Sequence, residues 1–162
     1  DNKDGYVDLL LSGISAGGIK ESSVYRNNAG TSFTKQNFSL MPLSKGGVIW
    51  SDLDRDGFLD IVLTGLDASI VEKTVVYKGN ENGYVSVTTT LPALSNGELL
   101  VIDANRDGLS EILLTGLNAA GNPVSALYTA SSAMSFSLYA SLSKTFAFNH
   151  AVAGDYKNCF CL

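Results

Sequence analysis

Asp52-Leu53-Asp54-Arg55-Asp56-Gly57-Phe58-Leu59-Asp60-Ile61-Val62-Leu63-Thr64-Gly65 sets carboxylates at positions 1, 3, 5 and 9 of a loop, with glycine at position 6. Unit negative charges about 4 Å apart repel by roughly 1 kcal/mol in bulk water and by several times that near a protein surface. A loop that converges four of them therefore calls for a cation. Oxygen donors in this number suit calcium, which takes ~6–8 oxygens at about 2.3–2.6 Å, often including a backbone carbonyl. Asp52, Asp54, Asp56 and Asp60 would supply side-chain oxygens and Phe58 its C=O, while Gly57 permits the sharp turn after the third ligand.

The loop is not an EF-hand, because Leu63 stands where that motif has a bidentate glutamate. The residues after it, Leu59 to Gly65, are short, β-branched and closed by glycine, which predicts a buried strand rather than a helix. Taken alone, Arg55-Asp56-Gly57 also fits an Asp-Gly hairpin turn that needs no metal. Repetition favours the metal. Asp103-Ala104-Asn105-Arg106-Asp107-Gly108-Leu109-Ser110-Glu111 returns 51 residues later, with Asn105 and Glu111 exchanging oxygen for oxygen and Leu109 in the carbonyl position. Asn2, Asp4, Tyr6 and Asp8 form a third copy 52 residues before Asp54, Asp56, Phe58 and Asp60, and its first ligand would fall at residue 0.

The period extends beyond the loops, as expected of solenoids, propellers and arrays. Gly13, Gly65 and Gly116 end first strands; Tyr25, Tyr77 and Tyr128 mark second strands; Phe33, Tyr84 and Phe136 open third strands. Fourth strands are predicted just before each following loop, at Gly47-Val48-Ile49-Trp50, Glu98-Leu99-Leu100-Val101-Ile102 and His150-Ala151-Val152-Ala153. The recurring tyrosines read as packing between blades. The fold class is thus all-β, a β-propeller-like array of four-stranded antiparallel blades. It forms one repeat region, 1–162, with units of about 1–51, 52–102 and 103–154 and a degenerate start of a fourth at 155–162. There, Lys157, Cys159 and Phe160 stand where Asp, Asp and Gly belong, so that copy is expected to bind no calcium.

Together these residues resemble the FG-GAP/VCBS repeats of secreted bacterial proteins and of integrin-type propellers. The resemblance rests on the Asp-rich loop, the Leu-Thr-Gly strand, the Val-Tyr-Arg-Asn-Asn segment and the Gly-x-x-Trp-x-Asp approach, and it spans nearly the whole chain. It implies an extracellular or cell-surface propeller, usually a ring of more blades, in which calcium staples a loop and adhesion or ligand binding is common.

Composition narrows the function. The 162 residues are 45% hydrophobic and 17% charged, enough for one packed domain. No apolar run approaches the ~20 residues of a membrane span, and the start at Asp1 reads as a processed or excerpted chain. The net charge of −5 is local: nine of the 16 acids lie in the three loops, leaving seven against 11 bases. Those bases are scattered singly, without the basic stripe of a nucleic-acid binder.

His150 is the one histidine and has no nucleophile or orienting acid in register, so the chain reads as non-enzymatic. Because propeller faces gather loops from several blades, a carbohydrate-binding or carbohydrate-cleaving module is the second reading. Cys159 and Cys161, at i and i+2, are poorly placed for a mutual disulfide and read as free thiols or an intermolecular link. Asn37-Phe38-Ser39 fits an N-glycosylation acceptor. Three units would leave two blade faces open, so the expected partners are copies of the chain or adjoining blades of a longer one. A surface protein or glycan is the expected ligand.

Overall fold

The computed structural model describes residues 4–147 and 150–154. Among them are eleven strands in three antiparallel sheets, and no helix. The first sheet is β1 (Leu9–Ile14), β2 (Lys20–Asn27) and β3 (Phe33–Lys35). The second is β4 (Val48–Ser51), β5 (Asp60–Leu66), β6 (Glu72–Asn80) and β7 (Gly83–Val87). The third is β8 (Leu99–Ile102), β9 (Glu111–Leu117), β10 (Pro123–Ala130) and β11 (Phe136–Ser141). In each sheet the strands lie side by side in chain order. The all-β class expected from the repeat is present, and the second and third sheets have the expected four antiparallel strands, whereas the first has three among the described residues.

Two details differ from the sequence reading. The two complete Asp-rich loops each connect two neighbouring strands of one sheet: β4 pairs with β5 across the central loop (Val48 with Leu63, Ser51 with Asp60), and β8 pairs with β9 across the next (Leu99 with Leu114, Ile102 with Glu111). The strand before a loop therefore opens a new sheet, and the sheets are offset by one strand from a count that begins at the loops. The second is a correction: residues 150–153 form no strand. The strands that occupy this place in the other repeats, β4 and β8, are held by the strand that follows their loop, and no described residue does this for 150–153.

The burial pattern shows why the β5 sequence is apolar without interruption. Ile61 and Leu63 point to one face, where they meet Val24, Leu40, Leu43 and Tyr77 between the first and second sheets. Val62 and Val76 point to the other, where they join Leu94, Leu99, Ile112 and Leu114 between the second and third. A sheet covered on both faces has no solvent side, so the polar half of the alternation disappears. Burial of a Val, Leu or Ile side chain is worth about 1.5–3 kcal/mol, and all seven residues of β5 are buried.

The Thr-Gly pair that ends this strand has a packing role. Thr64 Oγ1 accepts the Gly47 N–H at 3.0 Å, and Thr115 Oγ1 accepts that of Glu98 at 3.0 Å. Gly65 lies at φ 142°, and a Cβ there would sit 2.5 Å from the Ser44 carbonyl oxygen; at Gly116, with φ 147°, the corresponding distance to Ser95 O is 2.6 Å. Only glycine fits this close crossing of chains. Across the sheets, the Gly65 N–H donates to Leu94 O at 2.9 Å.

Two of the three repeated tyrosines pack between sheets, and Tyr25 does not. Tyr77 is buried in the first interface, with its hydroxyl accepting the Met41 N–H at 2.7 Å, and Tyr128 packs against the second. Tyr25 borders a hollow on the open face of the first sheet with Leu11 and Ile14.

Candidate metal centre

The central loop is shaped by its own amides. Arg55 and Gly57 take left-handed backbone conformations, φ 63° and 87°, which turn successive N–H groups inward. Asp52 accepts from Asp56 N–H (3.1 Å) and Gly57 N–H (3.0 Å), and Asp56 accepts from Phe58 N–H (2.9 Å). The loop at 103–111 repeats this backbone, with Arg106 at φ 61° and Gly108 at φ 78°. Its hydrogen bonds correspond: Gly108 N–H to Asp103 at 2.9 Å, Asp107 N–H to Asn105 at 2.9 Å and Leu109 N–H to Asp107 at 2.6 Å. The two loops adjoin, since a Cβ on Gly108 would meet the Arg55 guanidinium at 2.8 Å.

The ninth-position acid anchors each loop to its sheet. Asp60 is fully buried and accepts from Leu53 N–H (2.8 Å) with one oxygen and from Gly79 N–H (2.9 Å) with the other. Burial raises its pKa; the two amide donors oppose this, and the neighbouring charges of Asp54 and Asp56 add to it. Glu111, also fully buried, accepts from Ala104 N–H (2.8 Å) and from the Thr129 hydroxyl (3.2 Å). In the first copy Asp8 accepts the Asn27 N–H at 2.8 Å, and Asp4 accepts the Tyr6 N–H at 2.9 Å.

One trio stands out among the described residues. Asp52, Asp54 and Asp60 bring carboxylate oxygens within 4.8 Å of one another, close enough to hold a metal ion. The donors are all hard oxygens, and two of the three carboxylates, Asp54 and Asp60, are buried. Such a set fits a hard divalent cation and not a thiolate- or imidazole-seeking metal. Asp56, expected as a ligand, instead lies 2.8 Å from the ammonium of Lys78, which also pairs with Asp54. Those two contacts raise the Lys78 pKa. Asp103, Asp107 and Glu111 occupy the matching positions of the next loop without converging as closely. Asn2 lies outside the described residues, as do Cys159, Cys161 and the expected metal-free copy at 155–162.

The sequence reading missed Lys78. Lys78 follows the repeated Tyr77, and in the third sheet the matching residue, Thr129, pairs directly with the ninth-position acid Glu111; this register, and not the sequence, places the position beside the loop.

The loops, the Thr-Gly strands and the sheet order point to one repeat type. Residues 2–63 match the family model of the FG-GAP-like repeat. This FG-GAP-like segment runs from the first loop through most of β5 and includes the whole central loop, which bears out the resemblance carried by the sequence. No curated protein and no solved structure matches the chain.

Beyond the loops, a cleft of about 350 Å³ opens beside the first two sheets, lined by Phe38 and Phe58 together with Asp8, Arg26 and Gln36. His150 is exposed, with Nδ1 3.1 Å from a Glu98 carboxylate oxygen.

Proposed function

We propose that the chain acts outside the cell as a calcium-stabilised β-propeller segment of the FG-GAP type, in a structural or adhesive role and without catalysis. The observation that carries this reading is the preformed loop. Its backbone recurs at 52–60 and 103–111, and in the central copy three carboxylates converge on one point. Calcium is the ion whose size and preference for oxygen suit such a flexible carboxylate loop, and extracellular modules of this kind bind at about 10⁻⁴–10⁻³ M. In this role the ion staples β4 to β5, and β8 to β9, at the loop end of each sheet.

The propeller arrangement is supported by the face-to-face succession of sheets and by contacts of β4 with both β1 and β8. The outer face of the first sheet exposes Leu11, 54% accessible, for an adjoining blade or a further copy of the chain.

Thermal melts in chelator and in millimolar calcium test the metal. The midpoint is expected to rise with calcium by mass action, and Asp56→Ala is expected to remove most of the central loop's share. An unchanged midpoint would refute the calcium role. Light scattering of the native protein tests association: association between copies is expected to give a mass above one chain, whereas a stable monodisperse monomer would argue against it.

The cleft beside Phe38 and Phe58 favours a second reading, a carbohydrate-binding module, since it sets aromatic faces beside Arg26, Gln36 and Asp8. A glycan array decides between these, and reproducible polysaccharide turnover would overturn the non-catalytic role.

A further inference from the structure

Among the differences between the central and third loops, two are coupled through charge. Asp54 at loop position 3 is paired with Lys78, whereas in the third loop position 3 is the neutral Asn105 and Thr129, in the place of Lys78, bonds to Glu111 instead. The central cluster of Asp52, Asp54, Asp56, Asp60 and Lys78 and the third cluster of Asp103, Asp107 and Glu111 therefore carry the same formal charge, −3. Lys78 is not a distant surface base. Its ammonium bridges Asp54 and Asp56, and Asp54 is one of the three converging carboxylates. The side chain remains 37% accessible, so it can swing out to water without unfolding the strand.

We propose that Lys78 is a tethered counter-ion of the central loop, which neutralises Asp54 and Asp56 when calcium is absent and must withdraw before calcium enters, so that it sets the calcium level at which this loop fills. The inference rests on the calcium reading above and adds a regulation that the third loop lacks. With Thr129 in the matching place, the third loop has no lysine at this strand position to displace. Filling at 52–60 is thus exchange of the Lys78 ammonium for a divalent cation, a step that position 129 does not impose on 103–111. Because the ammonium already offsets the repulsion, the ion-free protein keeps its central loop formed.

The test is calorimetric calcium titration of the full chain carrying Asp107→Ala, which silences the third loop, with and without Lys78→Gln, and melts of wild type and Lys78→Gln in chelator. Displacing an ammonium from two carboxylates, each with its charge centred about 5 Å away, has a cost that removing the lysine recovers, so even at the dielectric of water Lys78→Gln is predicted to bind roughly tenfold tighter. The chelator midpoint of Lys78→Gln is expected to fall below that of wild type, because four carboxylates then face one another uncompensated. Lys78→Thr, which copies the third repeat, should behave like Lys78→Gln and guards against a defect peculiar to glutamine. Unchanged affinity in a protein that does bind calcium would overturn this inference and leave the calcium reading intact. Absence of calcium uptake by both wild type and Lys78→Gln would overturn both. A chelator midpoint for Lys78→Gln at or above that of wild type would overturn the counter-ion role by itself.

Discussion

Asp60 holds the fold together even without a metal, and replacing it measures by how much. Its carboxylate is fully buried and receives two backbone N–H groups, from Leu53 at 2.8 Å and Gly79 at 2.9 Å. Asp60→Ala leaves both donors without a partner in a site that water does not reach. Each orphaned buried donor costs about 1–3 kcal/mol. Against this, the substitution removes a charge that burial and the neighbouring Asp54 and Asp56 disfavour, as the raised pKa shows. The net loss expected at neutral pH is therefore in the lower half of the combined range, about 2–4 kcal/mol.

Asp60→Asn keeps one acceptor oxygen but turns an NH₂ toward the second donor, so its loss should be about half as large. Glu111→Ala offers an internal control, because Glu111 accepts one backbone N–H and a Thr129 hydroxyl that can rotate to another partner. It should cost less than Asp60→Ala. Urea unfolding in chelator, which excludes any contribution from bound ions, gives the free energies. An Asp60→Ala protein within about 0.5 kcal/mol of wild type under those conditions, the usual spread for neutral surface changes, would refute the anchoring role.

Other positions give sharp expectations. Gly65→Ala should destabilise by several kcal/mol or fail to fold, since its Cβ would meet Ser44 O at 2.5 Å in a backbone conformation unsuited to alanine; a thermal melt suffices, and a midpoint close to wild type would count against the crossing geometry. Leu94→Ala, in the interface between the second and third sheets, should cost about 2–5 kcal/mol, whereas Leu11→Ala on the open face of the first sheet should be nearly neutral by the same urea assay. Asp67 accepts Val71 N–H at 3.0 Å and Ser69 N–H at 2.8 Å, and the Val71 bond is the main reason its pKa is lowered. A lowered folded pKa means that the Asp67 contribution is complete above the unfolded carboxylate range and is lost as pH falls through the folded value. The equivalent turn has Asn118 accepting from Ala120 and Asn122, so Asp67→Asn should fold normally and show a shallower loss of stability below about pH 4.

Much of this architecture was legible because it is written in spacing. The loops at 52–60 and 103–111 could be aligned residue by residue, and the apolar run through Ile61, Val62 and Leu63 marked a strand buried on both faces. The division into sheets was not legible. A period of about 51 residues fixes the length of a repeat but not the strand at which a sheet begins, and that depends on backbone pairing of Val48 with Leu63 across the loop. His150 to Ala153 matched the local pattern of β4 and β8, yet a strand is defined by its partner as well as by its composition. At the site, the carboxylate positions were visible. The reach of Lys78 was not, because a single lysine on a strand looks like any solvent-facing base until the register brings it beside the loop.

The middle sheet shows Ile61, Leu63 and Tyr77 to one neighbour and Val62 and Val76 to the other. The third sheet turns its own Tyr128 toward the middle sheet, as the middle sheet turns Tyr77 toward the first. Within the chain, one face of a sheet is thus shaped to receive the opposite face of the next repeat. Whole-unit duplication of such a gene needs no new complementarity: each inserted copy covers one existing face and presents an equivalent one, and stability grows by one interface per copy. Changes in a face residue such as Leu63 are correspondingly constrained twice, by the sheet it packs against now and by any later copy that would have to receive the same face.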